Sequence, residues 1–274
     1  MNTRAACLFI PSALLGAVSL GADPPAKKDN ILHATLRVRV ETFKGSDVWD
    51  GVTVKKELLG PETAIILCDV WDKHWCDSAT RRCDQLAKKM PPLLGALRAR
   101  GVTVIHAPSD CMGFYKDAPQ RKKMLALAKA EPPKPLEITA PPLPIDDSDG
   151  GCDDPAPAKQ HRAWTSQHPA IPIAGEDYIS DNGAEVYSLL KQRGIKNLLV
   201  MGVHTNMCVL NRTFAIKQMT KWGIRCVLVR DLTDTMYNPK MRPFVSHEEG
   251  TELVIRHIEK YWCPTTTSAE LMGR

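Results

Sequence analysis

Several things are scarce in this chain, and each scarcity excludes something. Aromatic residues make up only 6% of it, so basic patches interleaved with stacking rings, the footprint of a nucleic-acid binder, are not in view. The basic excess is not collected in any one block. Lys plus Arg (36) over Asp plus Glu (31) leaves a formal +5 that is scattered along the chain, which reads as an ordinary solvated surface. No C-x-x-C pair occurs among the nine cysteines, so a zinc ribbon or a thioredoxin-like motif has no support. No internal repeat is visible. What is present is an apolar fraction of 43% over 274 residues, enough for a sizeable core, which rules out wholesale disorder and a short disulfide scaffold.

Residues 1–22 read as a signal peptide rather than as fold. Met1-Asn2-Thr3-Arg4 is a short basic start, Ala5 to Val18 is mostly apolar, and Ser19-Leu20-Gly21-Ala22 offers small residues for cleavage before Asp23-Pro24-Pro25. The apolar part falls short of the ~20 residues a spanning helix needs. No other apolar run of that length follows, so the expectation is a periplasmic or secreted protein with no stable membrane span. In an oxidising compartment the eight cysteines left after Cys7 can pair. Cys76, Cys83, Cys111 and Cys152 lie near loops or element ends, and bridges among them are favoured over a metal site built on His74, Cys76 and Cys83, whose spacing matches no common zinc pattern.

Along the chain, residues 23–60 read as a polar leader and an N-terminal hairpin, with strand periodicity through Ala34, Leu36, Val38 and Val40. Thr63 to Val70 is a continuous apolar run of the kind found in the middle of a parallel sheet. Ala79–Arg100 reads as a helix kinked at Pro91-Pro92, and Val102–His106 as the next strand. Residues 107–163 break the rhythm with a helix at Gln120–Ala130 and proline-rich, acidic stretches, and a segment so long is usually a functional insertion or lid. Then follow a short strand at Ala170–Ile173, a helix at Ala184–Arg193, a strand at Asn197–Val203, a helix at Met207–Trp222, a strand at Arg225–Val229 and a final helix opened by the capping-box spacing of Ser246 and Glu249. This alternation predicts an α/β fold with a parallel sheet covered on both faces, with ligands beyond the carboxyl ends of the strands.

Two strand ends carry candidate chemistry. Asp69 closes a buried strand, where an unpaired carboxylate is costly to desolvate. The second strand leaves through Gly202-Val203-His204-Thr205-Asn206-Met207-Cys208 and sets Cys208 at the first turn of a helix. Free amides there favour a thiolate and can receive an oxyanion.

An Asp at the first strand end, with G-V-x-T-N-x-C-V at a strand–helix turn about 140 residues on, resembles the isochorismatase-like cysteine hydrolases. That group includes nicotinamidases, carbamoylsarcosine amidases and isochorismatases. The resemblance runs over roughly residues 60–235, and makes 61–274 the hydrolase domain. It implies a Rossmann-like three-layer α/β/α fold on a six-stranded, mostly parallel sheet. By motif position Asp69 would be the general acid and base and Cys208 the nucleophile. The amides of His204 and Cys208 would hold the oxyanion, and a cis peptide would fall at Val203–His204. The family's third catalytic group is a lysine ending the third strand, but Ile173-Ala174-Gly175-Glu176-Asp177 carries none. Lys159, from the insertion, is then the candidate; otherwise Glu176, Asp177 or Asp181 makes the site more acidic.

Trp71, His74, Asp110, Trp164 and Asn206, with Trp75 and His204, are candidates for lining the pocket. Arg230 and Asp234 edge the same cleft and read as a structural pair. The zinc set of nicotinamidases is poorly matched by Asp110-Cys111-Met112, so zinc is disfavoured and no cofactor or metal is expected. The expected partner is a small-molecule substrate, with no nucleic acid, and a homo-oligomer is expected by analogy alone. Three readings stay open: cleavage of a small amide or ureido C–N bond, a non-catalytic binding module, and an isochorismatase-type enol-ether hydrolase.

Overall fold

The apolar run at the first strand end becomes β3 (Thr63–Cys68), and every one of its residues is buried. Its side chains alternate between two cores. Ala64, Ile66 and Cys68 join one cluster, while Ile65 and Leu67 join the other, as a strand covered on both faces requires. The structure is a computed structural model that describes residues 30–273; the signal-peptide reading of residues 1–22 lies outside the described residues.

The elements in order are β1 (Ile31–Glu41), β2 (Trp49–Leu59), β3, α1 (Asp77–Ala99), β4 (Thr103–Ala107), α2 (Pro119–Leu125), β5 (Tyr178–Ile179) and α3 (Gly183–Gln192). They continue with β6 (Asn197–Val203), α4 (Cys208–Asn211), α5 (Ile216–Lys221), β7 (Arg225–Asp234), α6 (His247–Tyr261), β8 (Thr265–Thr266) and α7 (Ser268–Met272). The sheet order is β2-β1-β8-β7-β6-β3-β4-β5. The six strands from β8 to β5 are parallel to their neighbours, as the sequence led one to expect. The hairpin does not stand apart. β1 pairs antiparallel with β8 at Arg37↔Thr265, extending the sheet to eight strands. Helices α1 and α7 cover one face, and α3, α5 and α6 the other, giving the three α/β/α layers.

Three local expectations need correction. The short strand expected at Ala170–Ile173 is loop, and the third parallel strand is Tyr178–Ile179, paired to Ile105 and His106. Pro169 and Pro172 offer no N–H to a ladder. The helix expected over Met207–Trp222 is two pieces, because Arg212 leaves helical geometry at φ −60° and ψ 150°. Ala215 then starts the second piece at φ −110° and ψ −168°. The helix of the insertion is shorter than Gln120–Ala130, ending at Leu125, where the chain enters the proline-rich stretch.

The insertion is fastened to the body rather than loose. Cys76 and Cys152 form a disulfide across 76 residues of sequence. Beside it the Asp154 carboxylate accepts the amides of Asp77 (2.7 Å) and Ser78 (3.0 Å), capping α1, whose own N-cap residue Cys76 offers no side-chain bond. Gly151 packs against the Met236 carbonyl, and a Cβ there would lie 2.3 Å from that oxygen. Residues 147–150 are thereby held at the carboxyl ends of the strands. No described helix is long and apolar enough to cross a membrane.

Candidate active site

Asp69 follows β3 with a left-handed φ of +49°. Its own amide bonds the Ala107 carbonyl at 3.0 Å, so the turn closes under β4 and the carboxylate is fully buried. Oδ1 accepts the Ser109 amide at 2.7 Å, and Oδ2 accepts Nε of Arg212 at 2.9 Å. Burial pushes the Asp69 carboxyl up, opposed chiefly by the Arg212 charge and by bonding to the Cys208 thiol and Ser109. The cation at the buried acid is therefore Arg212. It was not foreseen from sequence.

Arg212 reaches Asp69 because of the break just described. The residue stands four positions after Cys208, and its extended conformation ends α4 so that the next helix restarts at Ile216. Its guanidinium is half-buried, and Nη2 also lies 3.7 Å from Asp110 Oδ2. Burial opposes its charge, but Asp69 and Cys208 outweigh burial and raise its pKa further. It stays a guanidinium at any working pH.

The second strand end brings the sulfur in. Gly202, at φ +119°, lies against β3 so closely that a Cβ would sit 2.0 Å from the Cys68 carbonyl oxygen. Only glycine permits that approach. The Val203–His204 peptide is cis. The turn is tied down by the Thr205 amide on the Asp234 carbonyl (2.8 Å) and by the Met207 and Val209 amides on the His204 carbonyl (3.0 and 3.2 Å), while the His204 amide turns to the Cys208 sulfur. Cys208 is a free thiol within hydrogen-bonding reach of the Asp69 carboxylate. The expected stabilised thiolate is not what the surroundings favour. Burial, then the Asp69 charge, raises the Cys208 pKa above its ordinary value, and Arg212 only partly offsets them. The helix behind the sulfur has four residues, too short for a strong dipole. At rest the pair is thiol and carboxylate.

These groups open into a cavity of about 430 Å³ lined by Cys208 and Arg212, by Trp71, His74 and Trp164, and by the 147–150 segment of the insertion, with His204 at its floor. Five of the seven pocket candidates, Trp71, His74, Trp75, Trp164 and His204, line it. Trp71 and Trp164 stack at 4.0 Å between ring centres, and His74 lies nearly parallel to Trp164 at 5.8 Å. Burial drives the pKa of His74 down to about 4 and of His204 to about 3, with neighbouring positive charge adding to it. Both are neutral at pH 7.

Asn206 and Asp110 stand outside the lining. Asn206 is buried, donating to Asp147 (2.7 Å) and to the Met236 carbonyl (3.0 Å), and so ties the turn to the insertion. Asp110 is exposed at the rim beside Arg212. Lys159 is exposed and lines no part of the cavity. Glu176 is exposed, and Asp177 is taken up by Arg98 and His106. Beyond β5 the chain carries Ser180 and Asp181, with Asp181 accepting the Asp110 amide at 3.1 Å. Asp234 pairs with Arg82 and His247, whereas Arg230 faces Glu270, so the expected Arg230–Asp234 pair does not form.

Among the described residues the cluster with metal-ligand spacing is Cys76, Cys152 and Asp154. Its sulfurs are joined to each other and its carboxylate caps α1. The Asp110-Cys111-Met112 stretch offers an exposed carboxylate and a buried thiol whose pKa burial raises to about 12, a poor donor set for zinc.

No family model and no curated protein matches this chain. Solved structures do. A cysteine hydrolase from Pseudomonas syringae pv. phaseolicola is 17% identical with a TM-score of 0.49, over 79% of this chain and 93% of that one. An isochorismatase family protein from Burkholderia thailandensis is 16% identical, TM-score 0.45, over 78% and 95%. An isochorismatase from Pseudomonas putida is 14% identical, TM-score 0.48, over 77% and 91%.

Proposed function

We propose that this protein is an exported cysteine hydrolase that cleaves a small amide or ureido C–N bond through a thioester on Cys208. The observation that carries the reading is a free thiol bonded to a buried carboxylate that a guanidinium also holds, with thiol and guanidinium both lining one cavity. The resemblance of the Cys208 turn to the isochorismatase-like cysteine hydrolases points the same way.

The resting protonation states set the order of events. Asp69 accepts the thiol proton as the Cys208 sulfur attacks the substrate carbonyl carbon. The oxyanion that forms lies toward the amides of His204 and Cys208. As the C–N bond breaks, Asp69 returns the proton to the departing nitrogen. Water then attacks the thioester, Asp69 takes its proton, and the thiol is regenerated as the acid leaves. Arg212 keeps Asp69 ionised and fixed without entering the proton transfers, because a guanidinium does not deprotonate. Lys159 has no part in this scheme. Export is supported by the basic–apolar–small order of residues 1–22 and by a disulfide of the kind that persists in oxidising compartments.

The test is a product assay over a panel of small amides, ureides and enol ethers. The reading expects ammonia or amine release that is abolished in Cys208→Ala and in Asp69→Asn while both variants keep the far-ultraviolet spectrum of the parent. Pyruvate release that survives Cys208→Ala points instead to enol-ether hydrolysis, and ligand binding without any product points to a binding module.

A further inference from the structure

The cavity has a charge and surface character that the bond-cleaving groups do not require. Two carboxylates of the insertion, Asp147 and Asp149, line it together with Trp71 and Trp164. Each is held by neutral donors. Asp147 takes Nδ2 of Asn206 at 2.7 Å, and Asp149 takes the Gly151 amide at 2.8 Å and Nδ2 of Asn238 at 2.8 Å. The one guanidinium of the lining, Arg212, is matched by Asp69 and Asp110. The two histidines of the lining are uncharged at pH 7, since burial holds them to about 4 and about 3. Within the lining the insertion's negative charge is thus left unbalanced, in a cavity that also holds a stacked indole pair. A further group awaits a partner at the floor. His204 is 2% exposed, it lines the cavity, and its Nε2 has no hydrogen-bond partner.

We infer that the substrate is a small cationic amide, whose fixed positive charge sits between the aromatic wall of Trp71 and Trp164 and the carboxylates of Asp147 and Asp149 while its carbonyl faces Cys208. Indole faces attract a cation through their quadrupole, more strongly when water is excluded. Two nearby carboxylates add a long-range pull that raises encounter with cations and rejects anions. A neutral buried imidazole nitrogen supplies the remaining polar contact, and a cavity of about 430 Å³ suits a molecule of few heavy atoms. The Cys76–Cys152 disulfide gives this wall its position, since it fixes the residues just after Asp147 and Asp149 to the start of α1. The inference rests on the cysteine-hydrolase reading for the bond that is cut, though not for the recognition itself.

The experiment uses an isosteric pair, betaine amide and tert-butylacetamide, which share their shape and amide and differ in a quaternary nitrogen against a quaternary carbon. Binding of each to the full chain carrying Cys208→Ser is measured by calorimetry at low and high salt. The expected result is a preference of about tenfold or more for betaine amide. That preference should shrink by about threefold or more in Asp147→Asn/Asp149→Asn, where the amides keep the acceptor oxygens that Asn206 and Gly151 use, and it should narrow as salt rises. Equal or tighter binding of the neutral amide, no measurable binding of the cation, or a preference untouched by the double substitution overturns the inference. Failure of the hydrolase reading looks different: the cation preference persists, but the unsubstituted chain releases no amine and never acylates Cys208.

Discussion

Of the cavities among the described residues, two of similar size lie at opposite ends of the strands, and both are lined by thiols. The one at the carboxyl ends holds about 430 Å³ and presents Cys208. The one at the amino ends of β6 and β7 holds about 390 Å³ and is lined by Leu36, Leu58, Ile224, Cys226, Trp262 and Cys263, among others. Cys226 and Cys263 are fully buried, and burial alone is the leading cause that raises both their pKa values, that of Cys226 to about 12. Cys208 is also pushed up by burial. What separates it is company: a carboxylate positioned to take its proton, a guanidinium on that carboxylate, and an amide turned to its sulfur. A cavity and a thiol do not make a nucleophile. An acid–base partner whose own charge is secured does.

Breaking the carboxyl-end arrangement should therefore be far more damaging than breaking the other. Asp69→Asn removes the proton acceptor while keeping the shape, and should lower kcat/KM by about 10²–10⁴-fold, whereas Cys226→Ala should leave turnover within about twofold; steady-state kinetics on both reads the contrast. Next in size is the staple of the carboxyl-end wall. Replacing Cys76 and Cys152 together by Ser should lower the unfolding free energy by about 2–4 kcal/mol, seen as a reduced denaturant midpoint.

Arg212→Met should lower kcat/KM by about 10–100-fold and move the acid limb of the pH profile to higher pH, because Arg212 is the main influence holding the raised Asp69 carboxyl down. Arg212→Lys should recover part of the loss and most of the shift.

The smallest effect concerns the neutral histidines of the cavity. Their folded pKa values, about 4 for His74 and about 3 for His204, lie below the ordinary 6.5, so the unfolded chain binds protons first as pH falls. Stability from these groups is whole above pH 6.5 and is lost progressively as pH drops toward 4. His204→Gln should flatten the fall in Tm over that window. An unchanged slope would show that His204 protonation does not report on the cavity.

The sequence made Asp69 visible because it is a carboxylate closing an unbroken apolar strand, where the physics of burial demands a reason, and Cys208 visible because it opens the helix after the turn that leaves another such strand. Four of the six parallel strands were likewise legible; the third was misplaced, and β8 at Thr265–Thr266, two residues long, was not read. At Ala170–Ile173 the apolar pattern outvoted two prolines, and the two-residue strand Tyr178–Ile179 is too short to leave a period. Arg212 stayed hidden for a different reason. Phe214, Ala215, Ile216 and Met219 are all buried, and their helical spacing runs on through the position where the backbone turns extended. The signal available was position alone, four residues after the cysteine. Lys159 drew attention as a cation within the expected insertion that could reach in from a loop, but it is exposed. The place of Asp147 and Asp149 in the cavity depends on the pairing of Cys76 with Cys152, and eight cysteines do not reveal their connectivity.

The most direct measurement is thiol mapping on the native protein. The chain and its Asp69→Asn variant are exposed to iodoacetamide over a range of pH, quenched at intervals, and digested for mass spectrometry. The predicted result is modification of Cys208 ahead of Cys226 and Cys263, with a plateau around neutral pH set by the Asp69 carboxylate that gives way in Asp69→Asn to a rate rising with pH as the bare thiol ionises. A Cys208 that stays unmodified while the amino-end thiols react, or the same pH dependence in both proteins, would contradict the account.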